Sequence, residues 1–563
     1  MQPLRLTAQQ LFPAHPVKLS HEIIIQSPWL LGQQRCINAW KLFTQCSEQH
    51  LYLSNFSGFD AEKLLQALAE HYPFPTPSNH ANTEGNVDLN SSDKPISAVT
   101  FISQPLSKKS LIGSIDKNGH YQPGLLSKSQ ILVLPAEGFA DKASRWDVVK
   151  AALKRGFITT QDGNTTVPVT CKIVIVGDAL TYDALHEYDP EFSDHINLFA
   201  EIQHELFIDD PEADLQQWAQ AAEQISLDYR ALPLTVCGLT QLARYASRLC
   251  EHQQRLSLSW HRLGQLLAQT NRINGSSNSA IYGHDIEYAL NQLRWRHNSI
   301  EIQAQRNIEE ALVRVDTQGE RIGQINGLTV VDYLGHSYGE PARITVSVHY
   351  GDGEVADIER KSELGGNIHA KGMMILSACL YRIFGQDEAL HLSASIVFEQ
   401  SYQTIDGDSA SLAEYCCLIS SIAEVPIKQS FGLTGAVDQF GNVQAIGGIN
   451  EKIEGFFHLC QSRGLTGEQG VIIPKANLCQ LNLSQSVIDA VEKDLFQIYQ
   501  VDNVEEALSL ITGEEVGIAD KDQLFADNTV YGKVQIRLER MAGDLDEPLP
   551  WFTRLLGKLL GRS

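Results

Sequence analysis

The hydrophobic period of the chain changes twice, and the changes divide it. Up to about residue 230, short apolar strand-like runs alternate with helical patterns, as in LYLSNFSGFDAEKLLQALAEHY, SAVTFIS, QILVLP and CKIVIVG. Such alternation predicts an α/β domain with a largely parallel sheet over residues 1–231. Between the first two runs lies TPSNHANTEGNVDLNSSDKP, rich in Asn, Ser, Asp and Pro. With almost no large apolar residues, this stretch (75–97) reads as a surface loop or disordered insert. Over 232–317 helical spacing dominates: TQLARYASRLCEHQQRL and DIEYALNQLRWRHNSIEIQAQRNIEEAL place apolar residues three and four apart, which predicts a small helical domain.

After Gly319 the two-residue period returns. RIGQINGLTVVD, ARITVSVHYG and HLSASIVFE read as strands, and GNIHAKGMMILSACLYRIF reads as a helix between the last two. FGLTGAVDQFGNVQAIGG reads as a hairpin turning at QFGN, followed by a second helix and the strand GVIIP. Residues 318–513 are thus expected to form a mixed α/β domain, with 514–563 as a C-terminal tail and no internal repeat. In PWFTRLLGKLLGRS, Trp551, Leu555, Leu556, Leu559 and Leu560 share one helical face, and Arg554, Lys558 and Arg562 share another. That pattern suits a basic amphipathic helix packed on its own protein, or one touching a membrane surface or a partner.

Composition narrows the function classes. The 563 residues are 43% apolar and 20% charged, with no apolar run long enough to cross a bilayer. The N-terminus lacks a basic region followed by an apolar core and a cleavage site, so the cytoplasm is the expected location. Basic residues number 44 against 68 acidic, a formal charge of −24 that repels phosphate backbones and argues against nucleic acid as the main partner. The ten cysteines show no metal-ligand spacing, so no metal is expected and the thiols should be free and mostly buried.

Two helix starts carry candidate chemistry. In DGDSASLAEYCCLISSIAE, Leu412, Tyr415, Cys416 and Ile419 trace a buried face, which places Ser409 in the first turn. Serine there is either a cap, accepting an orphan backbone N–H, or a nucleophile beside N–H groups able to stabilise an oxyanion. In GGINEKIEGFFHLCQSRG, Gly447 and Gly448 break the preceding strand, Asn450 is a plausible cap, and Ile453, Phe456, Phe457 and Cys460 form the buried stripe. Lys452 then falls in the first turn, at the edge of that stripe. An exposed lysine is no base at neutral pH, but burial and a helix N-terminus both disfavour the ammonium. A neutral Lys452 could therefore take the proton of Ser409 without a histidine.

DGDSAS, then LTG, GGINEKIE and VIIP resemble the proteolytic domain of Lon proteases, particularly the B-type branch, with its DGxSA-like motif and a GGxxxK motif some forty residues later. The resemblance implies Ser409 as nucleophile, Lys452 as general base and Thr434, in LTG, as a hydrogen-bond partner of the lysine. Asp406 would orient the site or form an Asx-type cap. NIHAKG, with His369 and Lys371, also looks like a family segment, its histidine structural. Further upstream, ALHEYDPEFSDHINLFAEI and the helical region after it look like the AAA+ module of the family.

The nucleotide chemistry of that module is missing. Where GxxxxGK[ST] should follow LYLS stands NFSGFDAEK, with a single glycine and with Asp60 and Glu62 set to repel phosphate. ILVLPAEGF puts Pro135 and Ala136 where a magnesium-positioning acidic pair belongs, leaving Glu137, and Asp178 follows KIVIVG where a polar sensor is expected. What the resemblance implies is a Lon-like serine endopeptidase acting on unfolded or damaged polypeptides, in a homo-oligomeric ring of six. Its ATPase fold is expected to be degenerate and to work without ATP and magnesium. An ATP-driven protease with an unconventional nucleotide site and a silent ring scaffold remain the alternatives.

Overall fold

The computed structural model describes residues 5–15, 17, 25–46, 48–73, 99–102, 106–115, 117, 120–140, 142–159, 166–169, 171–273, 279–351, 355–385, 390–401 and 404–543. The polar insert and the amphipathic tail lie outside these. The chain divides into two compact units. One comprises His15–Cys250 and Gln254–Leu290; the other runs from Asn291 onward, with the N-terminal residues up to Ala14 and Glu251–Gln253.

In the first unit Val99–Phe101, Ile131–Pro135, Lys172–Gly177, Leu51–Ser54 and Leu198–Glu201 form, in that spatial order, a five-stranded sheet in which every pair is parallel. A parallel sheet is covered on both faces, which is why its strands read as continuous apolar runs. Alternate residues serve different cores: Leu51, Leu53, Val133 and Val174 pack with Trp40, Trp218 and Trp260, while Tyr52, Leu132, Leu134, Ile173 and Ile175 pack with Phe139, Trp146 and Phe192. The helix Ala61–His71 follows the first strand, capped by the Asp60 carboxylate, which accepts from Lys63 N at 3.2 Å. The expected helical segment holds Val236–Leu249, Trp260–Ile273, Gly283–Trp295 and Ser299–Glu309, the last lying in the second unit.

The second unit is built on a seven-stranded mixed sheet, in the order Val355–Asp357, Leu392–Phe398, His336–Tyr350, Gln324–Tyr333, Phe431–Leu433, Gly470–Pro474 and Gln497–Val501. Two of the strands read from the sequence, Gln324–Tyr333 and His336–Tyr350, are joined as a hairpin through Leu334 (φ 48°) and Gly335 (φ 77°). The sequence conceals that turn because leucine is an unusual occupant of positive φ. The predicted hairpin after Phe431 is also divided. Phe431–Leu433 is a strand of the large sheet, paired in parallel with Gln324–Tyr333 and Gly470–Pro474, and only Ala436–Val437 and Val443–Gln444 pair as a hairpin. Thr434 and Gly435 stand at the break between them.

The helix Ser411–Ala423 is buried on all sides, as an apolar sequence around its whole circumference requires. It packs on His336–Tyr350 and against the helix Val530–Ala542, where Tyr415 and Tyr531 bring their hydroxyls to 3.1 Å. The expected tail therefore contributes Val530, Tyr531 and Val534 to the same core. All ten cysteines are free, among them Cys36, Cys171, Cys379, Cys416, Cys417 and Cys460 in buried positions.

The helix Ile449–Arg463 lies on the strand His336–Tyr350 backbone against backbone. A Cβ on Gly339 would stand 2.0 Å from Glu451 O and 2.8 Å from Lys452 Cα, and one on Gly455 would stand 2.1 Å from Gly339 O. Neither clash can be relieved by rotating a side chain. Gly455→Ala is accordingly expected to lower the stability of this unit by about 1–3 kcal/mol, read as a fall in the urea midpoint of its unfolding transition.

Candidate active site

Ser409 sits in a turn just before the helix Ser411–Ala423, not in its first turn as the apolar stripe suggests. Gly407, at φ 124°, turns the chain immediately ahead of it. The N-cap position belongs to Ala410, which makes no side-chain cap, so the Ser409 hydroxyl is not spent on capping. The main chain here is tied to the break after Leu433: Gly435 N and Thr434 Oγ1 donate to Ser409 O at 2.9 and 3.1 Å, and Leu412 N donates to Gly435 O at 3.1 Å. Ser411 N in turn donates to Asp408 O at 3.0 Å. These bonds correct another expectation, because the first two N–H groups of the helix already have carbonyl partners.

Lys452 approaches from the other helix. That helix begins at Gly448, whose left-handed backbone (φ 65°) turns the chain from strand to helix, and Lys452 N donates to Gly448 O at 3.0 Å. Asn450 is not its cap. The Asn450 amide donates to Gln480 O at 2.8 Å and its carbonyl oxygen accepts from Asn482 N at 2.7 Å, a buried tie that holds the start of the helix. The Lys452 side chain is 3% exposed, and its Nζ lies 2.8 Å from Ser409 Oγ and 3.2 Å from Thr434 Oγ1. Thr434 is fully buried and serves both partners, donating to Ser409 O while accepting from the amine. Burial lowers the Lys452 pKa to about 8, and the charge of Asp408, a residue the sequence reading passes over, offsets part of that shift. Ser409, Lys452 and Thr434, from three separate segments, thus meet at one point.

Asp406 does cap a helix, but one from another segment and not by the expected Asx-type turn. Its Oδ1 accepts from Ile368 N at 3.0 Å and His369 N at 3.2 Å, closing the N-terminus of the helix Asn367–Phe384, and from its own neighbour Gly407 N at 3.0 Å. Lys371 is exposed on that helix, whereas His369 is buried, with Asp357 at 3.2 Å and Glu414 at 3.9 Å. Neither acid is singled out by pattern, although an acid inside the apolar run SLAEYCCLISSIA is itself a signal.

In the first unit, a cleft of about 510 Å³ opens where the strands Leu51–Ser54, Ile131–Pro135 and Lys172–Gly177 end, and it holds the loop residues 55–59. The charged residues lining it are Glu62, Glu137 and Asp178. Asp178 caps the helix Ala179–Tyr188, and the hydrogen bonds from Thr181 hold its carboxyl below the ordinary range. Glu62 stands in the first turn of the helix Ala61–His71, where a phosphate loop would need a lysine or a hydroxyl.

Comparison with known proteins agrees with both units. The profile of the Lon protease (S16) C-terminal proteolytic domain matches residues 381–513, that of the archaeal LonB AAA+ ATPase LID domain matches 233–296, and that of the LonB-like AAA domain matches 108–203. A Lon protease homolog of Escherichia coli (strain K12) is 42% identical over 354 residues, 62% of this chain and 59% of that protein. One from Haemophilus influenzae is 36% identical over 433 residues, 75% of this chain and 71% of that protein. The archaeal Lon protease of Thermoplasma acidophilum is 25% identical over 372 residues, 64% of this chain and 53% of that protein. The chain thus spans between about half and three-quarters of the length of these relatives, and the segment matched by the proteolytic-domain profile, 381–513, contains both Ser409 and Lys452. With a proteolytic domain matched over 381–513 and LonB-type segments before it, the chain belongs to the Lon protease family.

Proposed function

We propose that the chain is a serine-type endopeptidase that hydrolyses peptide bonds of unfolded or damaged proteins through a Ser409–Lys452 dyad, without hydrolysing ATP. The observation that carries this reading is the buried Lys452 amine 2.8 Å from Ser409 Oγ, with its pKa lowered to about 8. Relative to a lysine at 10.5, that shift leaves roughly a hundredfold more neutral amine near pH 8.

In the forward step the neutral Lys452 amine accepts the Ser409 hydroxyl proton while Oγ attacks the scissile carbonyl. The carbonyl electron pair moves onto oxygen, and collapse of the tetrahedral adduct breaks the C–N bond. The Lys452 ammonium returns the proton to the leaving amine, and an acyl-Ser409 ester remains. Lys452, neutral again, deprotonates a water that attacks the ester, and the proton finally returns to Ser409 Oγ. Thr434 keeps the amine aimed, since its oxygen receives one N–H and its own proton is committed to Ser409 O. With Ser411 N and Leu412 N already bonded, the N–H groups of Ser409 and Ala410 are the candidate main-chain donors for the oxyanion.

ATP and magnesium, which the AAA-type fold would imply, do not suit the residues of the first-unit cleft. A triphosphate there would face Glu62, Glu137 and Asp178, and no Lys or Arg is among the residues lining it. No step is therefore assigned to nucleotide. The first unit is read as a degenerate ATPase fold that assists assembly or substrate access, in a cytoplasmic homo-oligomer, a hexamer by analogy with the family. The acidic balance of the chain, −24, keeps polypeptides rather than nucleic acid as its partners.

Cleavage of casein or a fluorogenic peptide is expected to fall by ~10³-fold or more in both Ser409→Ala and Lys452→Ala. If the correctly assembled wild type cleaves none of several unfolded substrates, the scaffold alternative is correct. Because the base must be neutral, log kcat/KM should climb with pH and level off above about 8; a profile flat from pH 6 to 9 would remove Lys452 from the role of base. Adding ATP with magnesium should leave both turnover and melting temperature unchanged. Strong stimulation would instead assign the cleft of Glu62 and Glu137 to nucleotide.

A further inference from the structure

Three buried acids outside the dyad, Asp357, Glu359 and Glu414, converge on His369. Its main-chain N–H donates to Asp406 Oδ1 at 3.2 Å, and Asp406 lies three residues before Ser409. Its ring reaches the other side of the nucleophile, with Nδ1 3.9 Å from Glu414 Oε1, five residues after Ser409. Glu414 N donates in turn to Ala410 O at 2.9 Å, directly beside the reactive residue. Ring Nε2 lies 3.2 Å from Asp357 Oδ2, at the end of the edge strand Val355–Asp357. One residue therefore faces both ends of the segment 406–414 and the edge strand, its ring through charge contacts in which His369 Nε2, Asp357 Oδ2 and Glu414 Oε1 have no hydrogen-bond partner among the described residues.

The surroundings of the ring are closed and acidic. His369 is 2% exposed and Glu414 1% exposed. The Phe398 ring stands edge-on at 5.8 Å, and Gly365 lies against Cδ2. The charged groups acting on the imidazole are Asp357, Glu359 and Glu414, from three different elements, with Glu399 acting more remotely on Glu359. Glu359 is anchored separately, accepting from Phe398 N at 3.0 Å. Burial would lower the histidine pKa, but the three acids outweigh it and raise the group above its ordinary value. Burial likewise pushes Glu414 up to about 7, against the attraction of His369. Asp357 would be raised by burial, yet the ring and the N–H groups of Arg360 and Glu359 hold it low. Carboxylates brought this deep into a core require a counter-cation or a proton.

We propose that His369, as an imidazolium, is a positioning residue for Ser409. Its main-chain N–H bonds Asp406 before the nucleophile and its ring faces Glu414 after it, and its charge allows that acid, which lies within the helix Ser411–Ala423, to stay buried without distorting the helix. The role rests on the Ser–Lys reading of the site, and it acts through Asp406 and Glu414, since the ring takes no part in the bond changes.

The test uses the full-length protein at pH about 8, comparing wild type, His369→Gln and the double variant His369→Gln with Glu414→Gln. Peptide cleavage is the readout, and gel filtration and thermal melting report folding and assembly. Glutamine keeps the hydrogen-bonding capacity but not the charge, so His369→Gln should lose about tenfold or more in kcat with KM within about twofold. Removing the facing charge as well lets two neutral amides pair across the gap, and the double variant should recover most of the lost kcat. A folded His369→Gln with wild-type kcat overturns the proposal. A loss that Glu414→Gln does not relieve also overturns it, as does failure of both variants to fold, which would make the histidine a purely structural group. If assembled wild type itself cleaves nothing, the protease reading falls and takes this one with it; wild-type activity kept in His369→Gln sinks the positioning role alone.

Discussion

A lysine amine buried against a serine hydroxyl is the constraint around which the second unit is organised. For the proposed role of base Lys452 has to give up water, which is possible only where the surrounding packing is dense and the remaining polar partners are few and exact in placement. Here those partners are the Ser409 and Thr434 hydroxyls, with Asp408 near enough to temper the shift. A lysine left in solvent would remain an ammonium, and one buried with a carboxylate partner would be locked as one. The 3% exposure of Lys452 and the absence of a salt bridge to it among the described residues fit a group poised between the two states.

Holding the two side chains together is a matter of main-chain contacts. Gly339 and Gly455 let the lysine helix press directly on a strand of the seven-stranded sheet, and the break after Leu433 clasps the carbonyl of Ser409 through Thr434 and Gly435. Rotamers can relax around a mutation, whereas backbone against backbone leaves no such slack. The helix that follows Ser409 is buried between that sheet and the helix Val530–Ala542, so its position is set by the core on every side. This explains how a turn residue outside any helix can be placed to within hydrogen-bonding distance of a group 43 positions away.

The first unit keeps the parallel sheet and the cleft at its strand ends while lining that cleft with acids. Asp60 and Asp178 cap helices there, a use of carboxylates at helix N-termini that satisfies the same orphan N–H groups a phosphate would otherwise occupy. Under the proposed reading, in which this unit does not use nucleotide, such caps occupy helix starts that an anion would otherwise complete.

Much of this was legible in the sequence. The parallel strands of the first unit follow from continuous apolar runs, both helices of the dyad follow from their stripes, and the edge position of Lys452 follows from its place one residue ahead of Ile453. The motifs around Ser409, Thr434 and Lys452 marked the residues that the fold brings together. Local pattern misplaced what depends on partners distant in the chain: Ser409 lies before its helix, Asn450 ties a loop instead of capping, and the strand Phe431–Leu433 joins the large sheet. The cluster around His369 was legible only as one structural histidine, because Asp357, His369 and Glu414 come from three segments with no shared period. Periodicity records which face of an element is buried, so the sequence determined the elements, their inner faces and the candidate dyad. The tertiary structure alone decided which buried faces meet, and with that the desolvation and hydrogen bonding that set the charge of Lys452.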